Sequence, residues 1–213
     1  MTSNKKLSDP TTKQARRRKV AAVLAGGLVL GVGTMATLAS WNDSEFASAT
    51  FTAGQFALEG AVDAPGATWV DHSVTPGALT FSLPVGNLTP TDVVAAPFAI
   101  RLAAGTTNDA QVTLVASTAA GDIAPNLTYE VIKTTAANSC TTATAATDDN
   151  TAVVPANTAV DSVTGNTPFT INMGSPTSTA GAPAYLCFKV TAQSSLVQLQ
   201  SGTVTWQLQA VSQ

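Results

Sequence analysis

The sequence predicts an all-β protein, a two-sheet sandwich or jelly roll that follows an N-terminal signal helix. Short segments rich in Val, Thr, Phe and Ile alternate with Gly, Pro, Asn and Asp from about residue 49 onward. Apolar and polar residues alternate within several of these segments. No segment in the later part of the chain shows a convincing helical period. Many short strands separated by turn residues are typical of sandwiches and jelly rolls.

The first 39 residues resemble an export signal. Seven of the ten Lys and Arg residues lie within the first 19 positions, and an apolar stretch over 20–32 follows them. Small residues come next, so we expect a signal peptidase to cut between Ala39 and Ser40. The alternative is an uncleaved membrane anchor, because residues 20–39 are just long enough to span a bilayer. If the segment is cleaved, the protein contacts a membrane only through it, and only before cleavage. We then expect the protein to be extracellular or attached to the cell surface.

The chain from Ser40 onward is acidic. It holds three basic and twelve acidic residues, which gives a formal charge of −9. Few cations are present to neutralise phosphates, so we expect no nucleic-acid partner.

Nine segments of the remaining chain are predicted as strands. They cover 49–53, 55–60, 79–85, 97–104, 110–117, 127–133, 169–173, 185–192 and 202–211. The last segment alternates most clearly, with its apolar side chains on one face, namely Val204, Trp206, Leu208 and Ala210. Such alternation predicts a strand with one face on a core and the other in water.

Residues 134–166 interrupt this pattern because they are mostly Ala, Thr, Asn and Asp. We expect a long, partly ordered excursion from a sandwich domain that spans 54–213. Cys140 lies in the excursion and Cys187 lies in a predicted strand. In an exported chain an even pair of cysteines predicts a disulfide, here one that pins the excursion to the sandwich; two unbonded thiols are the alternative.

Residues that carry enzymatic chemistry are scarce. His72 is the only histidine, so the usual zinc sites with several histidines cannot form within one chain. Asp71 and Ser73 flank it, but neighbours along a strand point to opposite faces, which does not favour a catalytic triad. The acidic cluster at 148–150 is interpreted as a solvated loop tip, with a calcium site as the alternative. We therefore predict a structural or binding protein with no catalytic residues, no metal site and no cofactor.

Three parts of the chain carry a resemblance to a known family. Around the expected cut, the small residues are followed by "WNDSEF" and by the alternating segment "ATFTAGQFAL". In the middle, "NLTPTD" at 87–92 precedes "PFAIRLAAGTTNDAQVTLVAS", and the chain ends in "GTVTWQLQAVSQ". Together these segments resemble the secreted TasA/camelysin family, with Thr91 where the family usually has Gly and with residues 134–183 unmatched. The resemblance implies a jelly-roll-like sandwich, export through a SipW-type signal peptidase, and a role as a subunit of extracellular biofilm-matrix fibres.

The resemblance also implies an assembly mechanism, in which the N-terminal strand of one subunit enters the sheet of the next. We expect residues 40–53 to be this donor strand, with Trp41, Phe46 and Phe51 as its apolar anchors. Trp41 and Phe51 share one face of a straight strand, whereas Phe46 needs a bulge or bend to join them. The alternative is an ordinary first strand that pairs within its own chain. The partner is either a second copy of this protein or a related fibre subunit.

A second class of function is also open, a secreted monomeric adhesin-like or carbohydrate-binding sandwich. Exposed aromatic side chains clustered on one sheet face would favour it, and the candidates are Trp69, Tyr185 and Trp206. Self-association separates the two classes, because a fibre subunit polymerises and an adhesin of this kind stays monomeric.

Overall fold

The computed structural model describes residues 14–24, 45, 47–50, 52–64, 68–82 and 85–213. The chain divides into two compact units, Met1–Phe51 and Thr52–Gln213. In the first unit, residues 14–24 form an exposed helix that begins in the basic part of the leader and ends in its apolar stretch. Among the described residues, no helix combines the length and apolar character needed to cross a membrane.

The second unit is built on two antiparallel sheets. The larger sheet has five strands in the order β1-β2-β7-β4-β5, and the smaller has three in the order β6-β3-β8. In chain order the strands are β1 (Leu58–Ala61), β2 (Val93–Leu102), β3 (Ala110–Gly121), β4 (Leu127–Thr134), β5 (Thr151–Ala159), β6 (Phe169–Ile171), β7 (Ala184–Ala192) and β8 (Gly202–Ser212). Three short 3-10 turns cover Val85–Asn87, Ala124–Asn126 and Ala137–Ser139. The prediction of an all-β, two-sheet sandwich is confirmed.

The main core lies between the two sheets, where the apolar residues of each strand alternate inward. Central strands β2, β4 and β7 contribute buried side chains such as Ile100, Tyr129 and Leu186, and β3 contributes Val112 and Leu114. Every described residue of this core lies in the second unit, which therefore has a core of its own. The predicted inward face of β8 packs against the same core, while its Thr and Gln side chains are exposed.

The outer face of the larger sheet carries a second, smaller cluster. Ala95, Ile132 and Cys187 are buried there, and Cys140 packs against them. Cys140 and Cys187 form a disulfide, so the predicted pairing is confirmed. Ile132 broke the alternation of its segment in the sequence because it is buried on this outer face instead of in the main core.

Strand β5 lies inside the segment 134–166, for which the sequence indicated no strand. It pairs with β4 through two register shifts, and its Val153 and Val154 are both buried. Adjacent valines and an internal Pro155 hid the strand, because a bulged strand does not keep a two-residue period.

Two predicted strands are not formed. Residues 49, 50, 52 and 53 are not in a strand, and residue 51 lies outside the described part. Leu79 and Phe81 do pack on the core as their alternation indicated, but residues 79–82 form no ladder. Alternation reports which way side chains face, whereas a strand also needs a partner for its backbone.

Candidate strand-acceptor site

Strand β8 forms one edge of the smaller sheet. It is 11 residues long, and among the described residues it pairs only with β3. The bulge in this pair falls on β3, between Leu114 and Ala116, so β8 itself runs without interruption. The structure thus presents a long, regular strand with one side of its backbone open.

The direction of the open backbone groups follows from the residues that flank β8. The Gln213 N–H donates to the Asp109 carbonyl at 2.9 Å, so Gln213 points its backbone toward β3. Backbone groups alternate along a strand, so every second residue from Gln213 also points toward β3. The groups directed away from β3 therefore belong to the residues that alternate with these, which are Gly202, Val204, Trp206, Leu208, Ala210 and Ser212.

The other outer edges of the two sheets are short or irregular. Strand β1 has four residues, and its Gly60 exchanges two hydrogen bonds with Val70, at 2.9 and 3.0 Å. Strand β6 has only three residues. Strand β5 contains Pro155, and Asn157 within it has a φ of 62°. Proline, bulges and short length are the features by which natural proteins prevent edge strands from pairing with other chains.

Strand β8 has none of these features and carries no charge. The last charged residue of the whole sequence is Lys189, so nothing ionic lies on β8 or in the segment before it. Charged side chains on an edge strand oppose association, so their absence makes β8 a template for a further strand.

A groove of about 840 Å³ runs beside β8. One wall is β8 over 203–208, and the floor is the inner face of β1, β2 and β7, including Phe98, Ile100 and Phe188. Apolar side chains that extend the main core are thus accessible along the open edge. A strand added to β8 would cover them, because the smaller sheet has three strands and the larger has five.

The opposite wall of the groove is the segment 71–81, which we call the strap. Its ends are fixed by the Val70–Gly60 pair and by the Ser82 N–H, which donates to the Ala95 carbonyl at 2.8 Å. Among the described residues, 71–81 makes no backbone hydrogen bond to another part of the protein. Side-chain packing by Leu79 and Phe81 therefore holds the strap in place.

His72, the sole histidine, is part of this wall. Its ring lies 6.2 Å from the Phe98 ring, centroid to centroid. Asp71 binds Ser73 through backbone and side-chain hydrogen bonds, and these lower the pKa of the Asp71 carboxyl. Asp71 and Ser73 thus bond to each other, an arrangement that orders a turn and leaves His72 in an apolar contact.

Trp206 occupies the centre of the site. Its ring lies 5.1 Å from the Phe188 ring and 5.7 Å from the Tyr129 ring, centroid to centroid. The indole N–H is buried, and among the described residues it has no hydrogen-bond partner. An unsatisfied buried donor costs about 1–3 kcal/mol, so a ligand that brings an acceptor gains from it.

The polar contacts outside the groove stabilise the fold. Lys189 is buried, forms an ion pair with Glu130 at 2.6 Å and donates to the Thr144 carbonyl at 2.6 Å. With the disulfide, this pair holds the segment around Thr144 on the outer face of the larger sheet. In the described part of the chain, no group of three or more His, Cys, Asp or Glu side chains is placed to hold a metal ion.

The three aromatic candidates for carbohydrate binding do not form one surface. Trp69 and Tyr185 pack on the outer face of the larger sheet, whereas Trp206 faces the groove. The Arg101 guanidinium lies 4.2 Å from the centroid of the Trp69 ring and covers one face of it. Arg101 is itself held by Glu59 at 3.0 Å.

The residues predicted at the N-terminus fall outside the described part of the structure. They are Ala39, Ser40, Trp41, Phe46 and Phe51. The sequence predicted a donor segment but indicated no acceptor strand. The missed signal was the charge-free end of the chain, in which an alternating strand carries neither Lys, Glu nor Pro.

In comparisons with protein-family models and with curated proteins, the chain matched none significantly. The geometry of the site is therefore the main basis for a functional conclusion.

Proposed function

We propose that this protein is a structural subunit of extracellular fibres and that subunits join by strand exchange. The open edge of β8 in one subunit accepts residues 40–52 of the next as an added strand. The observation that carries the proposal is an 11-residue, uncharged edge strand lying beside a largely apolar groove. Main-chain hydrogen bonds supply affinity in this mode of binding, and alternate side chains that enter the groove supply specificity.

The proposed donor is long enough for this site. Thirteen extended residues reach about 43 Å, and the 11 residues of β8 reach about 36 Å. Every second residue of β8, from Gly202 to Ser212, presents an outward-directed N–H and C=O group, and each hydrogen bond contributes a net ~1 kcal/mol. Burial of the groove's apolar side chains adds to this.

The conformation of the described N-terminal residues is compatible with a role as the donor strand. Residues 47–50 and 52–54 form no strand, and the sheet of the second unit begins only at Leu58. The alternative of pairing within one chain remains a competing outcome, because Gln55 lies near the end of the sandwich where β8 ends. Thr107 bonds to Gln55, and the neighbouring Asn108 side chain donates to the Gln213 carbonyl at 3.1 Å.

Export is the second part of the proposal. Residues 1–39 direct the chain out of the cell, a SipW-type peptidase removes them after Ala39, and Ser40 becomes the N-terminus. The disulfide supports this assignment, because disulfides persist mainly outside the reducing cytoplasm. The fibres belong to the biofilm matrix, as the resemblance to the TasA/camelysin family implies.

A carbohydrate-binding or adhesin-like function has less support. Sugar rings stack on accessible aromatic faces, and Arg101 already occupies one face of Trp69. Trp206 is in the groove, on a different side of the larger sheet from Tyr185.

The experiment compares two chains in oxidising buffer, one beginning at Ser40 and one at Thr52. Sedimentation and negative-stain electron microscopy should show fibres for the longer chain and monomers for the shorter. A longer chain that stays monomeric but melts at a higher temperature than the shorter would indicate pairing within one chain. Two monomeric chains of equal stability would contradict the proposal.

A further inference from the structure

We propose that a cavity adjoining the groove receives a single phenyl ring of the incoming strand, from Phe46 or Phe51. This inference rests on the proposed function and names the side chain that anchors the donor. The groove alone is a long surface, whereas the cavity supplies a defined position for one ring and so sets the register of the added strand.

The cavity has a volume of about 150 Å³ and lies at the beginning of β8. Phe81, Val204 and Trp206 line both the cavity and the groove, so the two spaces adjoin. Apart from Gly202, the other lining residues carry apolar side chains, among them Ile123, Leu127 and Val190. A strand lying along β8 would therefore pass its opening.

Size and chemistry favour a phenyl ring. An enclosed apolar cavity of about 150 Å³ holds one benzene molecule, so the volume of this space, which opens onto the groove, suits one phenyl ring. The Thr and Ser side chains of the donor segment are too small and polar to fill such a space. The indole of Trp41 is larger than benzene, so Phe46 and Phe51 are the residues of matching size.

Trp206 offers a second, independent sign that the site is incomplete. Its buried indole N–H has no partner among the described residues. Trp206 borders both the cavity and the groove, so its unpaired donor lies at the point where the two spaces meet. A ring in the cavity would add to the packing around the inner face of β8.

The spacing of the two candidates makes the inference specific. Phe46 and Phe51 are five positions apart, so they lie on opposite faces of a straight strand. Only one of them can face the cavity while the strand pairs with β8. Replacing that residue removes the anchor, and replacing the other leaves it in place.

The test uses the chain beginning at Thr52, which contains the whole core, and a synthetic peptide of residues 40–52. Isothermal titration calorimetry measures peptide binding to the unchanged chain, to Val204→Phe and to Val197→Phe. Val204→Phe fills the cavity from the inner face of β8, and Val197→Phe makes the same substitution at an exposed valine that lines neither the cavity nor the groove. We expect Val204→Phe to weaken binding at least tenfold with no loss of melting temperature, and Val197→Phe to stay within about twofold of the unchanged chain.

Two altered peptides test the same point without any change to the protein. Phe46→Ala and Phe51→Ala should have unequal effects, with one weakening binding at least tenfold and the other changing it little. Equal effects of the two peptides, or full binding to a folded Val204→Phe chain, would overturn the anchor while strand exchange stands. No binding of the unchanged peptide to the unchanged chain would overturn the anchor and the proposed function together.

Discussion

Strands β5 and β8 are both outer strands of the sandwich, but β8 is long and regular whereas β5 is not. Strand β5 has nine residues, contains Pro155, and meets β4 through two register shifts. Strand β8 has 11 residues with no proline, no charge and no break in its own course. Both are rich in small and polar residues, so composition alone does not separate them.

The difference shows that the openness of an edge depends on a few particular residues. One proline and one residue with a positive φ make β5 irregular, and the disulfide-linked segment packs on the sheet nearby. In the smaller sheet, β8 leaves the backbone of every second residue directed outward, beside a largely apolar groove. An edge that a monomeric protein would protect is here left open, which is the arrangement expected of a subunit that assembles.

Removing the disulfide should have the largest effect. It should lower the free energy of unfolding and leave peptide binding unchanged. Replacing both Cys140 and Cys187 with Ser releases a loop whose ends are 47 residues apart, which should cost about 4 kcal/mol of unfolding free energy. Chemical denaturation of the chain beginning at Thr52 measures this. Below the melting temperature, the altered chain should still bind the 40–52 peptide as the unchanged chain does. Loss of peptide binding by a folded variant would show that the β8 edge depends on this side of the sandwich.

Ala210→Pro should block the edge without unfolding the sheet. The Ala210 N–H points away from β3, so proline there removes a group that only an added strand would use. We expect fibre formation to need at least a tenfold higher protein concentration, with a small change in melting temperature.

Gln209→Pro is the matched control for that substitution. The Gln209 N–H points toward β3, where Gln209 is paired with Thr113. Proline at 209 should therefore remove a ladder hydrogen bond and destabilise the monomer by about 1–3 kcal/mol. Similar melting temperatures for the two variants would contradict the assigned direction of the β8 backbone.

Charge placed on β8 should have a smaller effect that depends on its sign. The donor segment carries Asp43 and Glu45, so the double change Gln207→Glu and Gln209→Glu adds like charge to the site. We expect a several-fold weakening of 40–52 peptide binding at low salt, relieved at about 0.5 M salt through screening. The same positions changed to Lys should not weaken binding at low salt. Equal effects of Glu and Lys would mean that side-chain bulk, and not charge, controls access.

The smallest effect concerns alkaline pH. Burial raises the pKa of Tyr129, whose hydroxyl donates to the Ser162 carbonyl at 2.7 Å. The folded chain therefore holds this proton more tightly than the unfolded chain, so stability should fall as pH rises above about 10. Tyr129→Phe should lose about 1 kcal/mol at neutral pH, because it lacks the hydrogen bond, and should show a flatter decline above pH 10. If the stability of Tyr129→Phe falls above pH 10 as steeply as that of the unchanged chain, the fall is caused by other ionisable groups.

Much of the fold could be predicted from the sequence because alternation records which side chains face the core. The inward set of β8 and the pairing of Cys140 with Cys187 were both correct. Strand β5 was missed, since adjacent valines and Pro155 break the period on which the prediction depends. Residues 79–82 showed the opposite error. Their alternation correctly predicted which side chains face the core, but the strand predicted from it does not form.

The candidate site was harder to predict because it depends on which strands are neighbours. Nothing in "GTVTWQLQAV" states that its strand lies at an edge, and the groove is formed by residues as distant in sequence as Phe98 and Trp206. The lack of any charge after Lys189 was visible, but it acquires meaning only once β8 is known to be an outer strand.

Amide hydrogen exchange along β8 tests the central claim most directly. It is measured residue by residue on the chain beginning at Thr52, alone and with a saturating amount of the 40–52 peptide. We predict that the amides of Val204, Trp206, Leu208 and Ala210 exchange rapidly in the chain alone and become protected with the peptide, while those of the residues between them are protected in both. If the four amides are already protected in the chain alone, or stay unprotected with the peptide bound, β8 is not the acceptor edge.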